Sequence, residues 1–273
     1  MSSHKKSNKV AGRVDVGDEA SLETTKNKSE LSAAFVNAGI EALADSEFDD
    51  AFDSFQQALK INPSSVDALV GLGKVWLEFG EYENAKHEAE KALRLNDKSA
   101  SAYELRGHAL RLTDRCGAAT RDYDVAIKLN PRSFLAFYGR AVANDMLGNF
   151  DAALKDFAAC VALAPDFVFA YYDRGVALAN EGRYSDAVDD YSRALELDPE
   201  FEHCYVARGE ALSELKNYRD AVRDFDEAIA LDPDDASAYY YRGLALRRLG
   251  DEKGARRDFR AAEELGFDEE RDA

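Results

Sequence analysis

The sequence predicts an all-α protein, an α-solenoid of seven helical hairpins. Three observations carry this: prolines spaced by multiples of 34 residues, alanine at one fixed place in that frame, and apolar residues spaced as on amphipathic helices. The prolines stand at 63, 131, 165, 199 and 233, and the one double gap, 68 residues, is bridged by Asp97 inside the loop-like run Asn96-Asp97-Lys98-Ser99.

Placing the proline at position 32 of each unit gives seven units, 32–65, 66–99, 100–133, 134–167, 168–201, 202–235 and 236–269. Position 20 is then Ala in all of them: Ala51, Ala85, Ala119, Ala153, Ala187, Ala221 and Ala255. Position 8 is Gly except at Ala141, and position 27 is Ala except at Cys160. Large residues recur at position 4 (Phe35 to Tyr239) and position 24 (Phe55 to Phe259, with Ala89 the small exception). Small residues let two helices approach, and the rings fill the space beside them.

Each unit in order shows apolar residues at 4, 8 and 11, then at 17, 20, 24 and 27, which predicts two amphipathic helices. Between them, Gly80, Gly148, Gly182 and Gly250 occupy position 15 and suit left-handed C-terminal caps. Ser65, Ser99, Ser133 and Asp235 precede first helices and are expected as N-caps. Residues 1–31 break the period and are rich in Ser, Lys, Asn and Glu, so they are expected to be a mobile polar tail, with a short helix near Glu19 to Ser32. Residues 270–273 form a C-terminal tail; Phe267 stands where the last proline would be.

This pattern of large residues at 4, 11 and 24, small ones at 8, 20 and 27, and Pro at 32 resembles the tetratricopeptide repeat. The resemblance covers residues 32–269. It implies a right-handed solenoid and a scaffold or adaptor that binds other proteins, while leaving the partner open.

Position 7 is Arg in five units, Arg106, Arg140, Arg174, Arg208 and Arg242. Position 23 is Asp in the same five, Asp122, Asp156, Asp190, Asp224 and Asp258. Units one and two lack both. Matched presence and absence predicts structural ion pairs inside the hairpins, because a half-buried guanidinium needs a bidentate acceptor.

At about 100° per residue, positions 2, 6, 9 and 13 of the first helix, flanked by 5 and 12, lie opposite the core. In stacked hairpins that face is expected to line a concave groove. It carries Leu135, Tyr138, Val142 and Met146, then Phe169, Tyr172 and Val176, and Tyr240, Tyr241 and Leu244. Exposed apolar rows mark binding sites, so a peptide or helix with an apolar segment is the expected ligand; the alternative is that neighbouring first helices bury these side chains. Polar groups on the face, Lys74, His108, Arg111, Asp145, Asp173, Asn180, Glu210, Arg247 and Arg248, are of mixed sign. A carboxylate clamp of the kind some repeat proteins use for chaperone C-termini needs Lys at position 5, and none stands there.

Acids number 53 against 35 Lys plus Arg, a formal charge of −18. By subtraction of five acids and six bases in residues 1–31, the repeats and C-terminus carry 48 acids and 29 bases. Such a surface repels phosphate backbones, so no nucleic-acid partner is expected. No apolar run suits membrane insertion and no apolar leader opens the chain, which makes a cytoplasmic location the expectation. Cys116, Cys160 and Cys204 form no CxxC pair. His87-Glu88 begins an HExxH pattern that Lys91 breaks, and His4, His108 and His203 form no ligand set, so no metal is expected. Nucleotide-loop and nucleophile-elbow motifs are absent; no enzyme activity and no cofactor are expected. An architectural homo-oligomer and a co-chaperone or regulatory subunit are the alternatives to an adaptor.

Overall fold

A computed structural model describes residues 16–268, of which no residue is in a strand. Among these residues there are fourteen helices, beginning with α1 (Val16–Ala44), α2 (Phe48–Ile61), α3 (Val66–Glu78), α4 (Tyr82–Leu95), α5 (Ala100–Arg111), α6 (Cys116–Leu129) and α7 (Phe134–Met146). They continue with α8 (Phe150–Leu163), α9 (Val168–Asn180), α10 (Tyr184–Leu197), α11 (Glu202–Glu214), α12 (Tyr218–Leu231), α13 (Ala236–Leu249) and α14 (Glu252–Glu264). They pair in chain order as hairpins.

The helix expected near Glu19 to Ser32 falls inside α1, which begins at Val16 and runs on without a break through the first helix of unit one. Nothing between Val16 and Ala44 is Pro, and the only glycines are Gly17 and Gly39, so no residue stops a helix propagating backward from a packed end. Ser32 shows the anchoring, for its buried hydroxyl donates to the Ala58 carbonyl at 3.1 Å. The tails expected at 1–15 and 270–273 lie outside the described residues.

The chain divides into two compact units, up to Leu105 and from Arg106. In the first, Phe55 is fully buried with Ala51, Ala58, Ala68 and Val75, and Phe35, Phe52 and Trp76 close the edges. A Cβ on Gly39 would lie 2.8 Å from the Phe55 ring, and one on Gly71 closer still. The ring therefore occupies the space that glycine leaves on two helices, α1 and α3. In the second unit, Tyr123, Phe157, Tyr191 and Phe225 occupy the same place, none more than 2% exposed. Burying such a ring stabilises by roughly 1.5–3 kcal/mol, and the contact fixes the approach of the helices around it.

The turn within each hairpin is built alike. The Gly80 N–H donates to the Leu77 carbonyl at 3.0 Å and the Glu81 N–H to Trp76 at 2.8 Å, the paired bonds of a Schellman cap, with Gly80 at φ +74°. Ser46, Asp114 and Lys216 take the same left-handed conformation at φ 60°, 57° and 63°, where glycine would be unstrained. At the other end, Ser65, Ser99 and Ser133 hydroxyls each accept a backbone N–H at 3.3 Å and the Asp235 carboxylate accepts one at 2.9 Å. Phe167 and Phe201 stand at the N-caps of α9 and α11 and make no such bond.

Candidate functional site

Within the second unit, first helices touch first helices: α7 meets α9, α9 meets α11, and α11 meets α13. The second helices of the hairpins pack behind this row. Two sets of charged side chains result, one between the helices of each hairpin and one on the row itself.

Between the helices, each of five arginines grips one aspartate with two bonds. Arg106 donates Nε and Nη2 to Asp122 at 2.7 Å each, and Arg174 meets Asp190 at 2.7 and 2.6 Å. Arg140–Asp156, Arg208–Asp224 and Arg242–Asp258 repeat the geometry at 2.7–3.0 Å. The aspartates are buried while the guanidiniums are half-buried, each of the last four lying 5.4–5.7 Å over the position 4 ring, Phe137, Tyr171, Tyr205 or Tyr239. A further bond ties the arginine to the preceding hairpin: Arg140 reaches Asp124 at 2.6 Å, Arg242 reaches Asp226 at 2.7 Å and Arg208 reaches the Ser192 hydroxyl at 3.1 Å. Sequence reasoning missed that bond, whose signal is a polar residue at position 25.

On the row, the ten apolar candidates divide. Phe169 and Met146 are each 53% exposed; Leu135, Tyr138, Val142, Tyr172, Val176, Tyr240, Tyr241 and Leu244 are half-buried. The tyrosines are already engaged. Tyr138 donates its hydroxyl to Asp173 at 2.6 Å and sets its ring edge-on to Phe167 at 5.1 Å; Tyr172 packs on Phe201 at 4.8 Å; Tyr240 stacks on Phe267 at 4.3 Å. Phe169 sits between Phe167 at 5.8 Å and Phe201 at 5.9 Å, and Phe134 extends the series to Phe167 at 5.2 Å. Phe167 and Phe201 escaped the sequence reading because they stand at position 34, outside the helical face, where other units put a capping Ser or Asp.

The carboxylates of the row are also distinctive. Burial raises Asp145 and Asp173 above the ordinary carboxylate range, and raises Glu210 to about 7 although the Tyr241 hydroxyl opposes the shift. Glu202 is likewise pushed up to about 7, by burial and by its bond to Asp235, against the neighbouring His203. Asp145 Oδ1 and Arg111 Nε are enclosed with no hydrogen-bond partner. His108 bonds the Tyr123 hydroxyl through Nδ1 at 3.2 Å. Lys74 (on α3, in the first unit), Asn180, Arg247 and Arg248 are exposed.

Two clefts open beside these groups. One, of about 520 Å³, is walled by Tyr172, Val206 and Phe267 and by the carboxylates Glu202, Asp232, Asp234 and Asp235. The other, of about 380 Å³, lies among Glu210, Glu214, Tyr218, Tyr241, Leu244 and Arg247. In the larger lining the Ser237 hydroxyl donates to Asp235 at 2.7 Å, the carboxylate that also caps α13. The buried thiols of Cys160 and Cys204 are pushed up to about 11 and 12 by desolvation, which disfavours the nucleophilic thiolate. Among the described residues no three His, Cys, Asp or Glu side chains gather to hold a metal, and no helix is long and apolar enough to cross a membrane.

Family models described as tetratricopeptide repeat match residues 42–109, 108–166, 168–201 and 206–269. A search of curated proteins gives no significant match. Solved structures do match. YrrB, a TPR protein with an unusual peptide-binding site, is 23% identical over 67% of this chain and 95% of its own, with a TM-score of 0.55. A tetratricopeptide-repeat protein of Parabacteroides merdae is 19% identical over 88% and 95%, TM-score 0.59. A thermophilic TPR protein of Thermus thermophilus is 22% identical over 67% and 99%, TM-score 0.58. These likenesses are of fold.

Proposed function

Because the chain belongs to the tetratricopeptide-repeat family, we propose that it is a non-enzymatic adaptor that holds a peptide or helix of another protein along its row of first helices. The observation that carries this reading is Phe169, more than half exposed at the centre of the edge-to-face series running from Phe134 to Phe201, with Met146 exposed on α7. Aromatic side chains grouped in this way supply the anchor of a docking site. Precedent for peptide binding on this fold comes from YrrB.

The half-buried tyrosines contribute walls. Tyr138 and Tyr172 hold Phe167 and Phe201 in place, so their role is to position the exposed ring, and truncating them would disturb the packing as well as the surface. The decisive substitution is therefore Phe169→Ala. Twelve-residue peptides selected from a display library against the whole chain are titrated into wild type and variant. The expected loss is about tenfold in affinity, near 1.4 kcal/mol, with an unchanged melting curve. Equal affinities would defeat the reading.

A further inference from the structure

Carboxylates on these helices fall into two classes. The five aspartates at position 23 each grip a guanidinium. On the row of first helices, Asp145, Asp173, Glu202 and Glu210 make no ion pair with a lysine or arginine among the described residues. Asp173 accepts only the Tyr138 hydroxyl, with Arg111 acting on it from beyond ion-pair contact. Glu210 is held by the Tyr241 hydroxyl, and Glu202 is shared between His203 and Asp235. Asp145 keeps one enclosed oxygen without any partner.

Two of these groups flank the exposed ring. Asp173 follows Phe169 by four residues on α9 and so lies on the same face one turn along. Glu202 opens α11 immediately after Phe201, the ring that borders Phe169. The 520 Å³ cleft then combines an aromatic wall, Tyr172, with the carboxylates of Glu202 and Asp235. An aliphatic stem ending in a cation matches such a lining: the stem packs on the ring while the head meets the acids. Residues 32–273 carry a net charge of −19, which draws cationic segments toward the surface from a distance.

We infer that the segment bound on this row is cationic: a partner peptide or helix that presents Lys or Arg beside aromatic or aliphatic residues, its bases meeting Asp173, Glu202 and Glu210 and its apolar side chains meeting Phe169. The inference rests on the docking row proposed above and names the chemistry of its ligand. Desolvated carboxylates with no lysine or arginine in contact are held in an unfavourable state, and a bound base relieves it. The upward shifts of Glu202 and Glu210 agree with this, since a base would pull both back down and release protons.

The library-selected peptides supply the test. Those that need Phe169 are expected to carry net positive charge. A synthetic copy is expected to weaken about tenfold with Glu210→Gln or Asp173→Asn, and severalfold between about 0.05 and 0.5 M NaCl, as screening predicts. Asp189→Asn, at an exposed site on α10, leaves affinity unchanged. Phe169-dependent peptides that are neutral or acidic, and indifferent to Glu210→Gln, overturn the inference but leave the docking row standing. Peptides indifferent to Phe169→Ala, or none recovered, overturn both. A concentration-dependent dimer dissolved by Phe169→Ala assigns the row to a second copy, and a tenfold gain on removing residues 1–15, with Lys5, Lys6, Lys9 and Arg13, assigns it to the chain's own basic segment. Either result also overturns the inference.

Discussion

The unit ending at Leu105 and the unit starting at Arg106 build the same hairpin from different chemistry. From Arg106 onward each hairpin joins its helices with an arginine–aspartate fork, and Arg140, Arg208 and Arg242 extend it to the previous hairpin. In the first unit the arginine positions hold Ala38 and Leu72, and an aromatic group, Phe52, Trp76 and Phe79, packs with ring centroids 5.0–6.2 Å apart. Both arrangements give fully buried Ala and Phe cores, so the fork is not required for the fold. Glu88 shows the cost of a half-converted site. It stands at position 23 opposite Leu72, its Oε1 takes Lys91 at 2.8 Å, and its Oε2 is enclosed with no partner.

The sharpest way to break the comparison is Asp190→Ala, which strands Arg174. The expected loss is about 3 kcal/mol in urea unfolding, the low end for buried pairs because Arg174 is partly exposed. Ser54→Ala, at the same position of unit one, is expected to change stability by less than about 0.5 kcal/mol. Equal effects would erase the distinction. Next in size is Gly175→Ala, whose Cβ would lie 2.6 Å from the Tyr191 ring; a loss of about 1–3 kcal/mol is expected by thermal melting. Unit four already carries Ala141 beside Phe157, so there Ala141→Gly measures the reverse change.

Glu88→Met is expected to stabilise by about 1 kcal/mol, the opposite sign to Asp190→Ala at an equivalent position, because it removes an unsatisfied buried oxygen. A smaller effect is expected of Arg174→Met combined with Asp190→Leu, within about 1 kcal/mol of wild type, since an apolar pair replaces both charges together. A loss as large as that of Asp190→Ala alone would show that the second unit depends on the fork itself. Glu210 gives a pH-dependent test. Its carboxyl, near 7 in the folded chain against an ordinary 4.5, keeps a proton that the unfolded chain has shed. Its contribution to stability is thus complete below about 4.5 and lost as pH rises through about 7. The Tyr241 hydroxyl and the carboxylates of Asp235 and Glu214 face it. Glu210→Gln is expected to flatten the melting temperature between pH 5 and pH 8.

Periodicity made the hairpins legible because seven copies of one packing problem select the same small and large residues. It also singled out the arginine and aspartate that meet, since both change together from unit to unit. Departures from the period were harder to read. Ser46, Asp114 and Lys216 accept left-handed turns because the caps around them impose the conformation, although the propensity of Ser and Lys argues against it. The helix from Val16 lies before the first unit, where no second copy exists for comparison. Phe167 and Phe201 touch rings on neighbouring helices, and a face drawn for one helix does not contain them.

Phe55 is wedged against Gly39 of α1 and Gly71 of α3 at once. A ring clasped from two sides cannot be released by one hairpin alone, so when this region breathes, α1 to α3 must let go in concert. The smallest piece that opens here is larger than the sequence repeat, and amide protons on both hairpins should exchange at a common rate.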